Sequence, residues 1–136
     1  MGAVYEGGCA CGAIRYRVEG EAAAMSDCQC RQCQRESGTG HASHLVFAGA
    51  AVTISGKAAF WEMVGDGGTL KRRAFCPVCG APVYQVFPLM PELFVVRAGS
   101  LDDPRLYQPS AVTWTAAAQP WDRLDPALAA FERMPA

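Results

Sequence analysis

Apolar and polar residues alternate along much of this chain with a period of two. The clearest run is Ala13-Ile14-Arg15-Tyr16-Arg17-Val18, which reads as a half-buried strand. Shorter runs recur over 44–47, 52–55, 58–64, 69–75, 83–87 and 94–98. Turn residues separate many of them: Gly49, Ser55-Gly56, Gly65-Asp66-Gly67-Gly68, Pro88 with Pro91, and the stretch from Gly99 to Pro104. Short strands at that spacing predict a mainly β protein. Two stretches depart from the rhythm. Residues 31–37 suit a short turn of helix. Residues 124–133 predict a short C-terminal helix, with Asp125 as N-cap, Pro126 at the first helical position, and Leu128 and Phe131 facing the body. No repeat or linker divides the chain, so residues 1–136 are expected to form a single domain.

Composition narrows the function. The 136 residues are 51% hydrophobic and 18% charged, which fits an ordinary globular domain and excludes a disordered one. A formal charge of −1 offers no general attraction to nucleic acid or to an acidic membrane. The longest apolar stretch, 45–54, is half the ~20 residues a bilayer requires and contains Gly49 and Thr53. The opening residues have neither the basic nor the apolar region of a signal peptide, and Glu6 stands where a myristoylation motif wants Ser or Thr. The expected location is cytoplasmic. Trp61, Trp114 and Trp121 are read as core or rim aromatics without a function.

Seven cysteines change the picture. They fall into Cys9-Ala10-Cys11, Cys28-Gln29-Cys30-Arg31-Gln32-Cys33 and Cys76-Pro77-Val78-Cys79-Gly80. A disulfide scaffold is disfavoured by the odd count and by the reducing compartment. Metal binding explains the spacing better. Cys-Pro-x-Cys-Gly is half of a zinc knuckle, and Gly80 permits the tight turn it needs. Cys9 and Cys11, followed by Gly12, can supply the other two ligands of a four-cysteine structural zinc with Cys76 and Cys79. Four thiolates also suit an iron–sulfur centre, though this pairing suits zinc better. Three thiols remain: Cys28, Cys30 and Cys33. They make either a catalytic-type zinc site with an open fourth position or a second closed site completed by His41 or His44. Arg31, Arg35 and the run Lys71-Arg72-Arg73 are candidate cations to offset thiolate charge, or are simply solvated surface residues.

With these motifs in order, the sequence resembles the glutathione-dependent formaldehyde-activating enzyme family. The resemblance runs from Gly7-Gly8-Cys9-Ala10-Cys11-Gly12-Ala13-Ile14-Arg15-Tyr16 through the two later cysteine motifs to Gly99-Ser100-Leu101-Asp102-Asp103-Pro104, Trp121 and the expected helix near Phe131. It implies several coiled antiparallel β-sheets of the β-tent type, with a four-cysteine structural zinc and a three-cysteine catalytic zinc. It also implies a carbon–sulfur lyase whose partners are a small thiol, glutathione or similar, and an aldehyde. The family reaction is reversible condensation of glutathione with formaldehyde to S-hydroxymethylglutathione. Cys28, Cys30 and Cys33 would carry it, Arg31, Arg35 or residues 71–73 could hold glutathione's carboxylates, and His41 or His44 could shuttle a proton. Family members often have His where this chain has Gln29, and a His-aliphatic pair where it has Pro109-Ser110-Ala111-Val112. The alternative reading is a non-catalytic zinc module that binds another protein.

Overall fold

In the computed structural model, which describes residues 2–65 and 67–135, the alternating runs become strands of two sheets. Strands β1 (Val4–Gly8), β2 (Arg15–Glu19) and β5 (Ala51–Ser55) form the smaller, antiparallel sheet. The larger has eight strands in the order β11-β10-β3-β4-β9-β8-β7-β6. Its members are β3 (Ala24–Cys28), β4 (Ala42–Ala48), β6 (Ala59–Val64), β7 (Leu70–Phe75), β8 (Pro82–Val86), β9 (Leu93–Arg97), β10 (Ala111–Thr113) and β11 (Ala129–Ala130). The protein is therefore mainly β, with one helix, α1 (Arg31–Ser37), among the described residues.

The period-two pattern acts as expected in β2. Tyr16 and Val18 turn inward while Arg17 and Glu19 stay out. The core joins both sheets: Val18 of the small one and Ile14, just before β2, pack with Leu45, Phe47, Val83 and Val96 from the large one, all fully buried. Tyr5 meets Phe47 edge-on, with centroids 5.1 Å apart. Burying each such side chain contributes on the order of 1.5–3 kcal/mol. Strand β9 is buried on both faces through Phe94, Val95, Val96 and Arg97, which suits a strand in the middle of a large sheet.

Antiparallel pairing holds everywhere except at one edge. There β10 runs parallel both to β3 and to β11. This edge corrects one expectation: residues 124–133 form no helix. The local start signal is present, since Asp125 Oδ1 accepts from the Ala127 N–H at 2.9 Å and Leu128 N–H donates to Asp125 O at 3.1 Å. A helix of this length is marginal on its own. Ladder bonds win instead, with Ala129 N–H to Ser110 O at 3.1 Å and Phe131 N–H to Val112 O at 2.9 Å. Leu128 and Phe131 are half-buried all the same. The glycine-rich turn read at 65–68 closes through Gly68 N–H to Gly65 O at 2.9 Å, while its Asp66 lies outside the described residues. Among the described residues, no helix is long and apolar enough to cross a membrane.

Candidate metal centres and the adjoining cleft

Two turns carry the first cysteine group. After β1, Cys9 N–H donates to Ile14 O at 3.1 Å, and Gly12, at φ 82°, closes the bend onto Cys9 O at 3.3 Å. Between β7 and β8 the arrangement repeats: Cys76 N–H donates to Ala81 O at 3.0 Å, and Gly80, at φ 76°, closes onto Cys76 O at 2.8 Å. Both positions require the left-handed backbone that glycine adopts at little cost. The turns face each other, so that Cys11 Sγ lies 3.7 Å from Cys9 Sγ and 3.6 Å from Cys76 Sγ. The sulfurs of Cys9, Cys11, Cys76 and Cys79 all lie within 4.8 Å of one another. A zinc tetrahedron with bonds of about 2.3 Å has sulfur–sulfur edges of about 3.8 Å, so this donor set fits zinc. Amides point at the sulfurs, from Ile14 to Cys9 at 3.2 Å and from Val78 and Cys79 to Cys76 at 3.4 Å. The Ala81 amide leads the causes that lower the Cys79 thiol to about 6. None of the seven cysteines is in a disulfide.

The second group sits where β3 gives way to α1. Cys28 ends the strand, Cys30 is the helix N-cap, and Cys33 lies one turn in, its N–H donating to Cys30 Sγ at 3.3 Å. The three sulfurs also lie within 4.8 Å of one another. Hydrogen bonds from Cys28 and Cys33 hold the Cys30 thiol well below its ordinary value. The same bonds, with burial, push Cys28 and Cys33 up. Without a cation one sulfur ionises readily and two resist. A bound divalent metal would release the remaining protons.

Neither histidine belongs to this group. His41 Nδ1 instead bonds the carboxylate of Asp122, at 3.0 and 3.1 Å. His44, on β4, stands opposite Arg97 on β9. Its Nε2 is shielded from solvent without a hydrogen-bond partner among the described residues. Burial, followed by the cations of Arg97 and Arg73, holds His44 well below its ordinary value of 6.5. The unfolded chain thus takes up a proton that the folded one refuses. The stability this confers is whole above about pH 6.5 and is lost as the pH falls from there towards the folded-state value. Melting temperatures measured from pH 7.5 to 5 should therefore fall more steeply in the wild type than in His44→Leu.

The predicted cations disperse. Arg31 Nη1 bonds the Gln34 side chain. Arg72 lies 4.2 Å over the Phe60 ring and 3.1 Å from Glu62. Arg73 is buried, and with Arg97 it grips Glu36 of α1, while Gln85 Oε1 accepts from Arg73 Nη1 at 3.1 Å. That cluster fastens the helix bearing Cys33 to the large sheet. Arg35 remains exposed.

Sequence reading missed several neighbours of the second group. Trp114 packs against it with φ 58°, the one non-glycine positive φ among the described residues. Such a conformation costs of order 1–3 kcal/mol and persists where surroundings impose it. Here Trp114 N–H donates to Arg133 O at 3.3 Å, and the Arg133 guanidinium lies 5.4 Å over the ring. Asp27, 7% exposed at its side chain, accepts from the Ser43 and Tyr107 hydroxyls at 2.6 and 2.7 Å. The Gln29 amide reaches Asp122 at 2.9 Å. No spacing in one sequence announces these partners, because they lie up to 93 residues apart.

A cleft of about 680 Å³ opens beside the first group. Cys9 and Arg15 form one wall, and His41, Ala42, Ser43 and Arg97 line it from the large sheet. Ala42 also packs against Cys28 and Cys33, so the cleft and the three-sulfur group share a partition.

These features define a β-rich protein with two cysteine groups able to bind metal. Over residues 4–117 the sequence matches the family described as glutathione-dependent formaldehyde-activating enzyme, and the chain belongs to that family. The fold is similar to a crystal structure of a Rhodobacter sphaeroides protein, with a TM-score of 0.57 and 23% identity, covering 76% of this chain and 96% of that one. A comparison with curated proteins returns no match.

Proposed function

We propose that this chain is a zinc-dependent carbon–sulfur lyase-type enzyme that reversibly joins a small thiol, glutathione or similar, to an aldehyde such as formaldehyde. The observation that carries the reading is the second sulfur group: three protein donors, with neither histidine among them. Three ligands and an open position are the pattern of catalytic zinc, whereas four close a structural site. The family's name supplies the substrates. No feature of the site favours a non-catalytic interaction module instead.

In this reading Cys9, Cys11, Cys76 and Cys79 hold a structural zinc, and Cys28, Cys30 and Cys33 hold a catalytic one. Zinc in the second site would keep a bound substrate thiol as thiolate near neutral pH. The chain's own residues then supply position. Helix α1, pinned through Glu36, fixes Cys33 relative to Cys28 on β3. Trp114 covers the group from the β10 side. The cleft gives the aldehyde an approach next to Ala42. Holding thiol and carbonyl at reacting distance accounts for most of the acceleration, because three thiolate donors leave the metal a weak Lewis acid.

The test measures exchange between free formaldehyde and its glutathione adduct by magnetisation-transfer NMR, against the spontaneous rate in buffer. Wild type is expected to exceed buffer by at least tenfold. Cys30→Ser should return to the buffer rate and bind one zinc per chain rather than two. Wild type and Cys30→Ser both matching buffer would remove this chemistry.

A further inference from the structure

We infer that His41, oriented by Asp122, is the acid–base group of the cleft and moves the proton that joining a thiol to an aldehyde requires; this rests on the function proposed above.

The imidazole has two different sides. Nδ1 faces Asp122 at 3.0 and 3.1 Å from its two oxygens. A carboxylate only accepts, so the neutral ring carries its hydrogen on Nδ1 and keeps a lone pair on Nε2. Nε2 lies 3.9 Å from Asp27 Oδ1, beyond hydrogen-bond range, and Asp27 is occupied by the hydroxyls of Ser43 and Tyr107. The ring lines the cleft and is 24% exposed, while the Asp122 and Asp27 side chains are 8% and 7% exposed. One nitrogen is thus anchored by a buried carboxylate, and the other is left to the cleft.

The anchor is built for closeness. Gly40 precedes His41, and a Cβ there would stand 2.3 Å from Asp122 Cβ and Cγ. Only a bare backbone admits the carboxylate at this distance. Asp122 also takes the Gln29 amide at 2.9 Å, from the residue between Cys28 and Cys30. The histidine's support is therefore tied to the loop that carries the sulfurs. His44 has no such access, being shielded and opposed to Arg97.

The step balances without a co-reactant. On binding, the thiol's S–H proton passes to His41 Nε2, and the thiolate sulfur then bonds the carbonyl carbon. The C=O π pair moves to oxygen, and Nε2 returns the proton there, leaving a hydroxyl. In reverse, Nε2 takes the hydroxyl proton, the C=O bond re-forms, and the S–C pair returns to sulfur. Asp122 keeps its hold on Nδ1 throughout, so the ring does not turn between the two transfers. Cys9, Arg15, Arg97 and Asp102 are the other ionisable groups lining the cleft, and Tyr107 bonds Asp27 behind it.

The experiment uses the full, zinc-loaded chain with His41→Gln and Asp122→Asn. In the exchange assay, His41→Gln is expected to lower kcat on the order of 10²-fold with KM within a few-fold, and to erase one ionisation from the pH profile. Added imidazole should partly restore His41→Ala. Asp122→Asn should lose at least tenfold, and 15N NMR should show the ring proton moving from Nδ1 in the wild type to Nε2. A His41→Gln variant with wild-type rate and pH profile overturns the inference while leaving the thiol–aldehyde reading intact. Rate lost only in step with bound zinc also overturns it, because the residue is then a scaffold. A wild type no faster than buffer sinks the reading and this role together.

Discussion

Cys76→Ser is expected to leave the protein unfolded under conditions where the wild type melts cooperatively. Cys76 is fully buried, and its sulfur lies 3.6 Å from that of Cys11, a residue 65 positions away. Its sulfur also receives the Val78 and Cys79 amides, so it organises its own turn as well as the junction. Structural zinc contributes on the order of 10–16 kcal/mol in small sites, against a total stability of about 5–15 kcal/mol for a domain. If the four sulfurs hold zinc as proposed, removing one of them should therefore cost most of the margin. Circular dichroism melts with zinc analysis check this, and Cys30→Ser is the control that should stay folded. A Cys76→Ser protein with an unchanged melting temperature would show that the four sulfurs do not support the fold.

Glu36→Gln should be the next most damaging change, at about 3–5 kcal/mol, although no sulfur is touched. Arg73 and Arg97 have side chains only 8% exposed, and both direct guanidinium nitrogens at Glu36. With the negative charge gone, two buried cations face each other with only neutral acceptors, Gln85 and the introduced amide oxygen. The cost arises from stranding charge away from water, not from losing a favourable pair. Guanidinium unfolding midpoints measure it. A loss under about 1 kcal/mol would mean that water reaches the arginines in the folded state.

The periodic strands were the legible part of the fold. Alternation in 13–18 reports a sheet with one face on a core, and shorter runs located β4 to β9, of which β9 is buried on both faces. The strands that escaped had local reasons to do so. Strand β1 ends in Gly7-Gly8, and β10 has three residues. In β3 the polar Ser26 and Asp27 hide the pattern, since Asp27 is buried to accept from Ser43 and Tyr107. At the other extreme, Asp125-Pro126 signals a helix start that the parallel ladder overrides. Helix α1 is the case where local and tertiary demands agree, with Cys30 capping it and Gly38 ending it at φ 78°. Cysteine spacing announced Cys28, Cys30 and Cys33 and each half of the four-cysteine group, because short turns bring those members together, and the fold joins the two halves. Asp122, Trp114 and Gly40 act through pairings that only the folded chain creates.

The edge formed by β3, β10 and β11 imposes an order on synthesis. Cys28, Cys30 and Cys33 leave the ribosome early, while Trp114 and the Asp122 that grips His41 are translated much later, Asp122 81 residues after its histidine. Until those residues arrive, the nascent chain displays three thiols that Trp114 does not yet cover, open to oxidants and to stray metals.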